Sequence, residues 1–263
     1  MLNKSNFLVP SPFDSKHYGM KVAKISIQAA SSDLHRTIKN AKRQGYKLIF
    51  IHSIYKRKNK QLTKTLTRQI ESMGGNYINS LISLKRIFRT GLRTKKTKSI
   101  AIIDSLQKIN SPKEVNALSR ICGEAIYQSH LIRDTRLPLN KTRRLHYQWA
   151  KNDLTGRAQW NFLARVEGQP VGFVSILVTK NDPTFKNKTS GFIDMVVVDK
   201  KFQGQGIGSD LMIKALEWLS KNTDLATLGT QADNPAFRLY TKMGFIPYIW
   251  QDIYHLWTDS LKL

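Results

Sequence analysis

The segment DKKFQGQGIGS, residues 199–209, carries three glycines at alternate positions, Gly204, Gly206 and Gly208, directly after the apolar run FIDMVVV. A strand that ends in such a turn lets backbone N–H groups converge, and the helix that follows adds the positive end of its dipole. The pattern therefore predicts an anion-binding turn, with a bare tight turn as the alternative. Two other phosphate-binding patterns are excluded: the GxGxxG fingerprint fails at Ser209, and no Gly-Lys-Ser/Thr ending of a P-loop follows.

A second segment contains residues that could take part in catalysis: it reads DNPAFRLYTKMGF and spans residues 233–245. Asn234 followed by Pro235 is typical of a helix start, and the helix would carry Tyr240. The phenol is a candidate proton donor. The alternative interpretations are a simple helix cap for the asparagine and a core aromatic for the tyrosine.

Both segments resemble motifs of the GCN5-related N-acetyltransferase (GNAT) family. The first is similar to its acetyl-CoA motif, (Gln/Arg)-x-x-Gly-x-(Gly/Ala), which Gln203, Gly206 and Gly208 match. The second is similar to its Asn-x-x-Ala-x-x-Leu-Tyr-x-x-x-Gly-Phe signature, except that Asn234 stands six rather than seven residues before the tyrosine, the family's position being that of Asp233. The resemblance implies a GNAT fold, with a central mixed, mostly antiparallel sheet flanked by helices, and acetyl-CoA as co-substrate.

The resemblance also implies a role for each matched residue. The strand before the turn would splay from its neighbour and bind the pantetheine arm, and the N–H of Val196 would stabilise the oxyanion. Tyr240 would protonate the departing thiolate, and Asp194 would act as the general base through water, a surface-facing Asp194 being the alternative. The implied cofactor-binding residues are Val196, Val197, Val198, Gln203, Gly204, Gln205, Gly206, Ile207, Gly208, Ser209, Asn234 and Tyr240.

The acceptor is predicted from the polar loop QSHLIRDTRLPLNKTRR, residues 128–144, where the family places its acceptor-binding segment. His130 is the candidate there, and Arg133 and Arg136 would bind an acidic acceptor; a solvated loop is the alternative. This loop, FDSKHYG (13–19) and LHYQWAKN (145–152) resemble the dTDP-fucosamine N-acetyltransferases. The resemblance implies a nucleotide-linked amino sugar as the preferred acceptor, and a protein N-terminus or lysine stays open.

Periodicity predicts an α/β protein in two parts. A smaller basic domain, 1–97, would hold strands at 20–28, 46–54 and 76–88 and a helix at 31–45, with a polar stretch at 55–70. The GNAT domain, 98–263, would hold strands at 99–106, 160–168, 170–179, 191–200, 226–233 and 245–257, and helices at 111–128, 143–152, 209–222 and 234–244. No internal repeat is visible in the residues.

Composition sets the class of protein. The chain has 263 residues, 41% of them hydrophobic, and a formal net charge of +25. Residues 1–97 hold 21 Lys and Arg against three acids, so most of this charge lies in the first domain and attracts anions such as CoA or a nucleotide sugar. A nucleic-acid-binding basic module is the alternative from another class. The run at 85–98 would be a phosphate-binding strip or a solvated linker.

The remaining signals predict absences. The single cysteine, Cys122, excludes an intrachain disulfide and favours a cytoplasmic protein in which this thiol is buried packing. The six histidines show no metal-ligand spacing, so no metal is expected. No apolar run reaches the roughly 20 residues of a membrane span. A homodimer is kept open as the assembly.

Overall fold

The computed structural model describes residues 8–88, 99–125 and 128–262. The predicted boundary at residue 97 and most of the basic run at 85–98 lie outside these ranges. The strands are β1 (Leu8–Pro10), β2 (Lys21–Ile27), β3 (Tyr46–Tyr55), β4 (Asn76–Ile87), β5 (Ile102–Leu106), β6 (Trp160–Val166), β7 (Gln169–Asp182), β8 (Lys188–Val198), β9 (Leu225–Gln231) and β10 (Ile246–Trp257). The helices are α1 (Pro12–Tyr18), α2 (Ser32–Arg43), α3 (Thr63–Ser72), α4 (Pro112–Ala125), α5 (His130–Arg133), α6 (Leu139–Asn152), α7 (Ile207–Asn222) and α8 (Ala236–Lys242).

The ten strands of the described ranges form one mixed sheet, in the order β1-β2-β3-β10-β4-β9-β8-β7-β6-β5. The pairs β2–β3 and β8–β9 are parallel and the other pairs are antiparallel. The prediction of an α/β fold with a mixed, mostly antiparallel sheet flanked by helices is confirmed. The sheet continues across the predicted boundary, and the division into 1–97 and 98–263 stays a prediction.

Six of these strands are arranged symmetrically about the pair β10 and β4, with β2-β3-β10 on one side and β4-β9-β8 on the other. A strand–helix–strand–helix–strand series occurs twice, as β2-α2-β3-α3-β4 and as β8-α7-β9-α8-β10. The last strand of each series pairs with the middle strand of the other series: β4 pairs with β9, and β10 pairs with β3. We call β1–β4 with α1–α3 the first half and β5–β10 with α4–α8 the second half. The repeat is one of topology, since none is visible in the residues.

Helices cover both faces of the sheet in the second half. Phe162 lies in the hydrophobic cluster that contains α7, whereas its neighbour Leu163 lies in the cluster that contains α4. Successive residues of a strand point to opposite faces, so α7 and α4 lie on opposite sides. Helix α6 joins the two halves, because its Leu145 lies in one cluster with Leu48 of β3 and its Ala150 lies in the α4 cluster.

Helix α1 is held against α6 by polar and aromatic contacts. The hydroxyls of Tyr18 and Thr142 are 2.9 Å apart, and Lys141 Nζ donates to the carbonyl of Tyr18 at 2.9 Å. The rings of Phe13 and Trp149 stack with centroids 6.2 Å apart. The start of the first half is thereby fixed on the second half.

Two stretches that the sequence left without helix are helical. The polar stretch at 55–70 contains the start of α3, which buries Thr63, Leu66 and Ile70 on one face. Three buried positions at i, i+3 and i+7 are enough to dock a helix although the rest of it is polar. The loop at 128–144 contains α5 and the first turns of α6. Helix α4 is capped by Ser111, because the N–H of Glu114 donates to Ser111 Oγ at 3.4 Å.

Candidate active site

Strands β8 and β9 pair along only part of their length. Parallel pairing covers Ser190–Ile193 of β8 and Leu225–Leu228 of β9. β8 continues to Val198 and β9 to Gln231, so the ends of the two strands diverge. A gap therefore opens in the sheet immediately before the glycine turn.

The first half has no such gap at the corresponding place. Residues 21–27 of β2 pair with residues 46–53 of β3, up to the end of β2. The connection from β2 to α2, residues 28–31, reads QAAS and has no glycine. Of the two topologically related strand pairs, the one in the second half has the geometry for a ligand.

The glycine turn begins α7 without a side-chain cap. Gly204 has φ 79° and Gly206, the N-cap residue, has φ 86°, values that favour glycine because a Cβ is strained there. A Cβ on Gly204 would meet no atom within 4 Å, so its surroundings are open. The N–H of Ser209 donates to the carbonyl of Gly206 at 2.9 Å, and the start of α7 places the positive end of the helix dipole beside this space. Gln203 braces the turn by donating to the carbonyl of Val198 at 3.0 Å.

Helix α8 brings the second motif to the same gap. Asn234 caps the helix, because its Oδ1 accepts from the N–H of Ala236 at 2.9 Å. Tyr240 is 7% exposed, and burial raises the pKa of its hydroxyl to about 12. A phenol with this pKa is protonated at neutral pH and has a proton to donate.

A cavity of about 510 Å³, which we call the turn cavity, lies between these elements. The size is within the range of small-molecule sites. Most of the predicted cofactor residues line it, namely Val196, Val197, Val198, Gln203, Gly204, Gly206, Gly208, Ser209, Asn234 and Tyr240. Two do not: Ile207 is buried in the core cluster, and the side chain of Gln205 donates to the carbonyl of Lys201 at 3.2 Å.

A second cavity of about 630 Å³ adjoins the first and shares Val196, Gln231, Asn234 and Tyr240 with it. We call it the carboxylate cavity, because Asp194 and Asp14 line it. The sequence reasoning missed Asp14. The position of Asp14 depends on how α1 packs on α6, and no pattern in the neighbouring sequence predicts that contact.

Asp194 lies where the register of β8 against β7 shifts, between Ile193 and Met195. Such a bulge redirects a side chain. Its carboxylate pairs with Arg157 at 2.6 Å, and the same guanidinium nitrogen bonds to buried Asp153. Burial raises the pKa of Asp153 to about 6. Asp194 is therefore not a free surface group but part of an ion-paired network.

The predicted acceptor residues do not line either cavity. His130 lies between the halves, with its Nδ1 2.8 Å from His255 Nε2. Arg133 pairs with Asp233 at 2.5 Å, and Arg136 pairs with Asp259 at 2.6 Å. Their role in acceptor binding stays a prediction.

Comparison with known proteins adds the decisive observation. Residues 125–245, which contain the divergent strands, the glycine turn and Tyr240, match the acetyltransferase (GNAT) family. Residues 125–245 are similar to a GNAT acetyltransferase domain. The matched region includes both predicted motifs, which lie at residues 199–209 and 233–245.

Two curated relatives are similar to this chain. The spore coat polysaccharide biosynthesis protein SpsD of Bacillus subtilis (strain 168) is 26% identical over 148 residues, 56% of this chain and 48% of that protein. The N-alpha-acetyltransferase MAK3 of Arabidopsis thaliana is 30% identical over 102 residues, 38% of this chain and 50% of that protein. The matches span about half the length of these relatives.

The whole fold has a counterpart among solved structures. A functionally unknown protein from Staphylococcus epidermidis ATCC 12228 superposes with a TM-score of 0.66 at 16% identity, covering 96% of this chain and 92% of that one. At this identity the likeness concerns the fold alone.

The next two features of the described residues concern metal binding and membrane crossing. In residues 8–88, 99–125 and 128–262, no group of three or more His, Cys, Asp or Glu side chains is arranged to hold a metal ion. None of the helices in the same ranges combines the length and apolar character that crossing a membrane requires. Cys122 is buried, with its sulfur 4.0 Å from that of Met195.

Proposed function

We propose that the GNAT domain transfers the acetyl group of acetyl-CoA to a primary amine in a ternary complex, and that the preferred acceptor is a nucleotide-linked amino sugar. The observation that carries the acetyl-CoA part is the divergence of β8 and β9 beside the glycine turn. An opened strand edge offers backbone groups to an amide-containing arm, and the N-terminus of α7 favours a diphosphate.

The residues around the turn cavity fit this co-substrate. The edge at Val196 and Val198 would pair with the pantetheine arm, while the turn from Gln203 to Ser209 would bind the diphosphate. The open space at Gly204 leaves room for phosphate oxygens against the backbone. Asn234 caps α8 with its Oδ1, so only its Nδ2 is free to donate to the co-substrate.

The chemistry needs a polarised carbonyl and a proton for the departing sulfur. In the proposal the N–H of Val196 stabilises the oxyanion, and Tyr240 donates the proton, because it lines both the turn cavity and the carboxylate cavity. The amine would then enter from the carboxylate cavity. Asp194 belongs to that cavity and stays the predicted base in this scheme.

A nucleotide-linked amino sugar is favoured by two observations. The relative of B. subtilis is named for the biosynthesis of a spore coat polysaccharide. The carboxylate cavity is lined by the stacked aromatic side chains Phe13 and Trp149, which suit the flat, weakly polar faces of sugars and bases. The basic first half would attract the anionic diphosphate of such an acceptor.

A protein N-terminus is the second candidate acceptor. It is favoured by the 30% identity to a protein named as an N-alpha-acetyltransferase. The matched region covers only 38% of this chain. We therefore rank this acceptor below the amino sugar.

Calorimetry with acetyl-CoA and a thiol-release assay test the proposal. The wild-type protein should bind acetyl-CoA and release CoA thiol with dTDP-4-amino-4,6-dideoxygalactose, and more slowly with a peptide that has a free N-terminus. Absence of acetyl-CoA binding would overturn the catalytic proposal. Faster release of CoA thiol with the peptide would make a protein N-terminus the preferred acceptor.

A further inference from the structure

The carboxylate cavity is built by both halves of the molecule. Ser11, Phe13 and Asp14 come from the first half, and Asp194 and Tyr240 from the second. Because Tyr240 also lines the turn cavity, an amine in the carboxylate cavity would lie beside the proposed site of acetyl transfer. A group from the first half is therefore within the same cavity as the reacting atoms of the proposed reaction.

The two carboxylates of this cavity differ in their partners. Asp194 is ion-paired with Arg157 at 2.6 Å. Asp14 accepts a hydrogen bond from Ser11 Oγ at 2.5 Å and forms no ion pair with a described residue. An ammonium group that binds Asp194 would have to displace the guanidinium of Arg157. An ammonium group that binds Asp14 would displace no cation that is ion-paired with it among the described residues.

We propose that Asp14 binds the amino group of the acceptor in the carboxylate cavity and accepts the proton that this group must lose before it attacks acetyl-CoA. The inference rests on the proposed function and refines it. The proton-accepting role passes from Asp194 to Asp14, and Asp194 with Arg157 shapes the opposite wall.

An unpartnered hydroxyl in the same cavity independently indicates a polar ligand. Thr230 lines the carboxylate cavity, is 3% exposed, and its Oγ1 has no hydrogen-bond partner among the described residues. Buried polar atoms are nearly always hydrogen-bonded in native proteins. A ligand with hydroxyl or amino groups, held between Thr230 and Asp14, would satisfy it.

The proton balance of the step is complete. The acceptor arrives as R–NH₃⁺ and gives one proton to Asp14, and the resulting amine forms a C–N bond with the acetyl carbon while the C–S bond breaks. The sulfur takes the proton of Tyr240 and leaves as the thiol. The nitrogen then returns its surplus proton to Tyr240, and Asp14 releases its own to solvent.

The surroundings of Asp14 suit a group that exchanges protons. Burial is the largest influence on its carboxyl and raises its pKa above the ordinary value, although the Ser11 hydrogen bond and nearby cations oppose this. A raised pKa brings a carboxylate closer to the operating pH, which improves a general base. The charged or titratable groups that face it are His17 and Tyr18 of α1, Lys24 of β2, and Arg157 and Asp194 across the cavity.

The variants Asp14→Asn, Asp14→Glu and Asp33→Asn test the inference. Asp33 is a matched control, because it also lies in the first turn of a helix of the first half and pairs only with Arg36 of its own helix. With dTDP-4-amino-4,6-dideoxygalactose and saturating acetyl-CoA, Asp14→Asn should lower kcat/KM about 100-fold, as expected for a lost general base. Asp14→Glu should recover part of this, and Asp33→Asn should match the wild type.

A pH profile separates catalysis from a structural effect. The wild type should lose kcat/KM as the pH falls through the raised pKa of Asp14, because the protonated carboxyl accepts no proton. This acidic limb should vanish in Asp14→Asn and persist in Asp194→Asn, while calorimetry finds acetyl-CoA affinity within about threefold of the wild type in both.

Four results would overturn the inference. An Asp14→Asn enzyme within threefold of wild-type kcat/KM would do so, and so would loss of the acidic limb in Asp194→Asn alone. A wild type that transfers no acetyl group to the amino sugar or the peptide would instead remove the proposed function, and the inference with it. An Asp14→Asn protein that also loses acetyl-CoA affinity would show that the carboxylate maintains the fold rather than the reaction.

Discussion

At the scale of the residue, Tyr240 depends on its burial for its chemistry. Tyr240 lines both cavities, and desolvation raises the pKa of its hydroxyl and so keeps it protonated. Sequence reasoning identified this residue from a motif alone. The motif supplied the residue type and spacing, whereas its position at the junction of two cavities required the structure.

Tyr240→Phe should lower kcat about 100-fold and leave acetyl-CoA affinity nearly unchanged, because it removes one proton donor and no bulk. Stopped thiol-release assays and calorimetry measure the two quantities. Tyr254→Phe is the control, since Tyr254 is buried in β10 and its hydroxyl bonds to Thr67, far along the sheet. Full turnover in Tyr240→Phe would remove the tyrosine from its role.

Several histidines are buried in their neutral form. Burial lowers the pKa of His52 and of His146 to about 4, and that of His130 well below its usual range. His146 is the clearest case, because it is fully buried and neither ring nitrogen has a partner among the described residues. These groups couple the stability of the fold to pH.

The sign of this coupling follows from proton uptake. An unfolded chain protonates His146 below about pH 6.5, whereas the folded chain does so only near pH 4. The stability is therefore complete above pH 6.5 and falls as the pH drops from 6.5 to 4. Asp153, whose pKa is raised to about 6, acts in the opposite direction between pH 6 and 4, and so does Asp14, whose pKa is also raised.

Between pH 7 and pH 5 the free energy of unfolding of the wild type falls. This fall should be about 2 kcal/mol smaller in His146→Phe, since each buried neutral histidine contributes roughly that amount to it at pH 5. Urea unfolding at the two pH values gives the difference. His35→Phe is the control, because His35 is exposed on α2. An unchanged pH dependence in His146→Phe would contradict the assignment.

At the scale of the element, the glycine turn and the diverging strands act together. The gap at the ends of β8 and β9 lies beside the start of α7, whose N-cap residue Gly206 is in the left-handed region. The related pair β2–β3 is paired to its end and has no glycine before α2. The same topology therefore has an opened strand pair beside a glycine turn in the second half and a fully paired one in the first half.

Gly206→Val should reduce acetyl-CoA binding below the limit of calorimetry, because the branched side chain would distort the turn and enter the space proposed for the diphosphate. Gly168→Val is the matched control. Gly168 has φ 76° and a Cβ there would meet no atom within 4 Å, so it tests backbone strain away from the cavity. Wild-type affinity in Gly206→Val would exclude the turn as the binding site.

The sequence predicted the elements best where the apolar pattern was strong. Strands such as β3 and β8, with nearly continuous apolar runs, were predicted within three residues of their ends. Helix α3 was missed because only Leu66, Ile70 and Thr63 are buried in a polar segment. Asp14 was missed for a different reason: its cavity forms only when α1 docks on α6, a contact between residues more than a hundred positions apart.

At the scale of the whole molecule, the two halves exchange their last strands. Consecutive strands are usually neighbours in a sheet, but β3 and β4 are separated by β10. No pattern in the sequence reveals this, because pairing over such distances depends on which edges are left open. The predicted domains are therefore joined through the middle of one sheet.

Residues 98–263 alone should fail to fold into a stable unit, because the removal of β4 leaves β9 and β10 without their shared neighbour. Adding residues 1–97 as a separate chain should restore the sheet. Near-ultraviolet circular dichroism and denaturant unfolding compare the fragment, the mixture and the full chain. A cooperative unfolding transition in the isolated fragment would show an independent domain.

The central position of β10 has a consequence for the order of assembly during synthesis. Residues 246–257 leave the ribosome after all the other strands, yet their place is between two strands made far earlier. The nascent chain must keep the edges of β3 and β4 apart and unsatisfied until then. Such edges attract other chains, so slow translation of the second half should increase the need for chaperones.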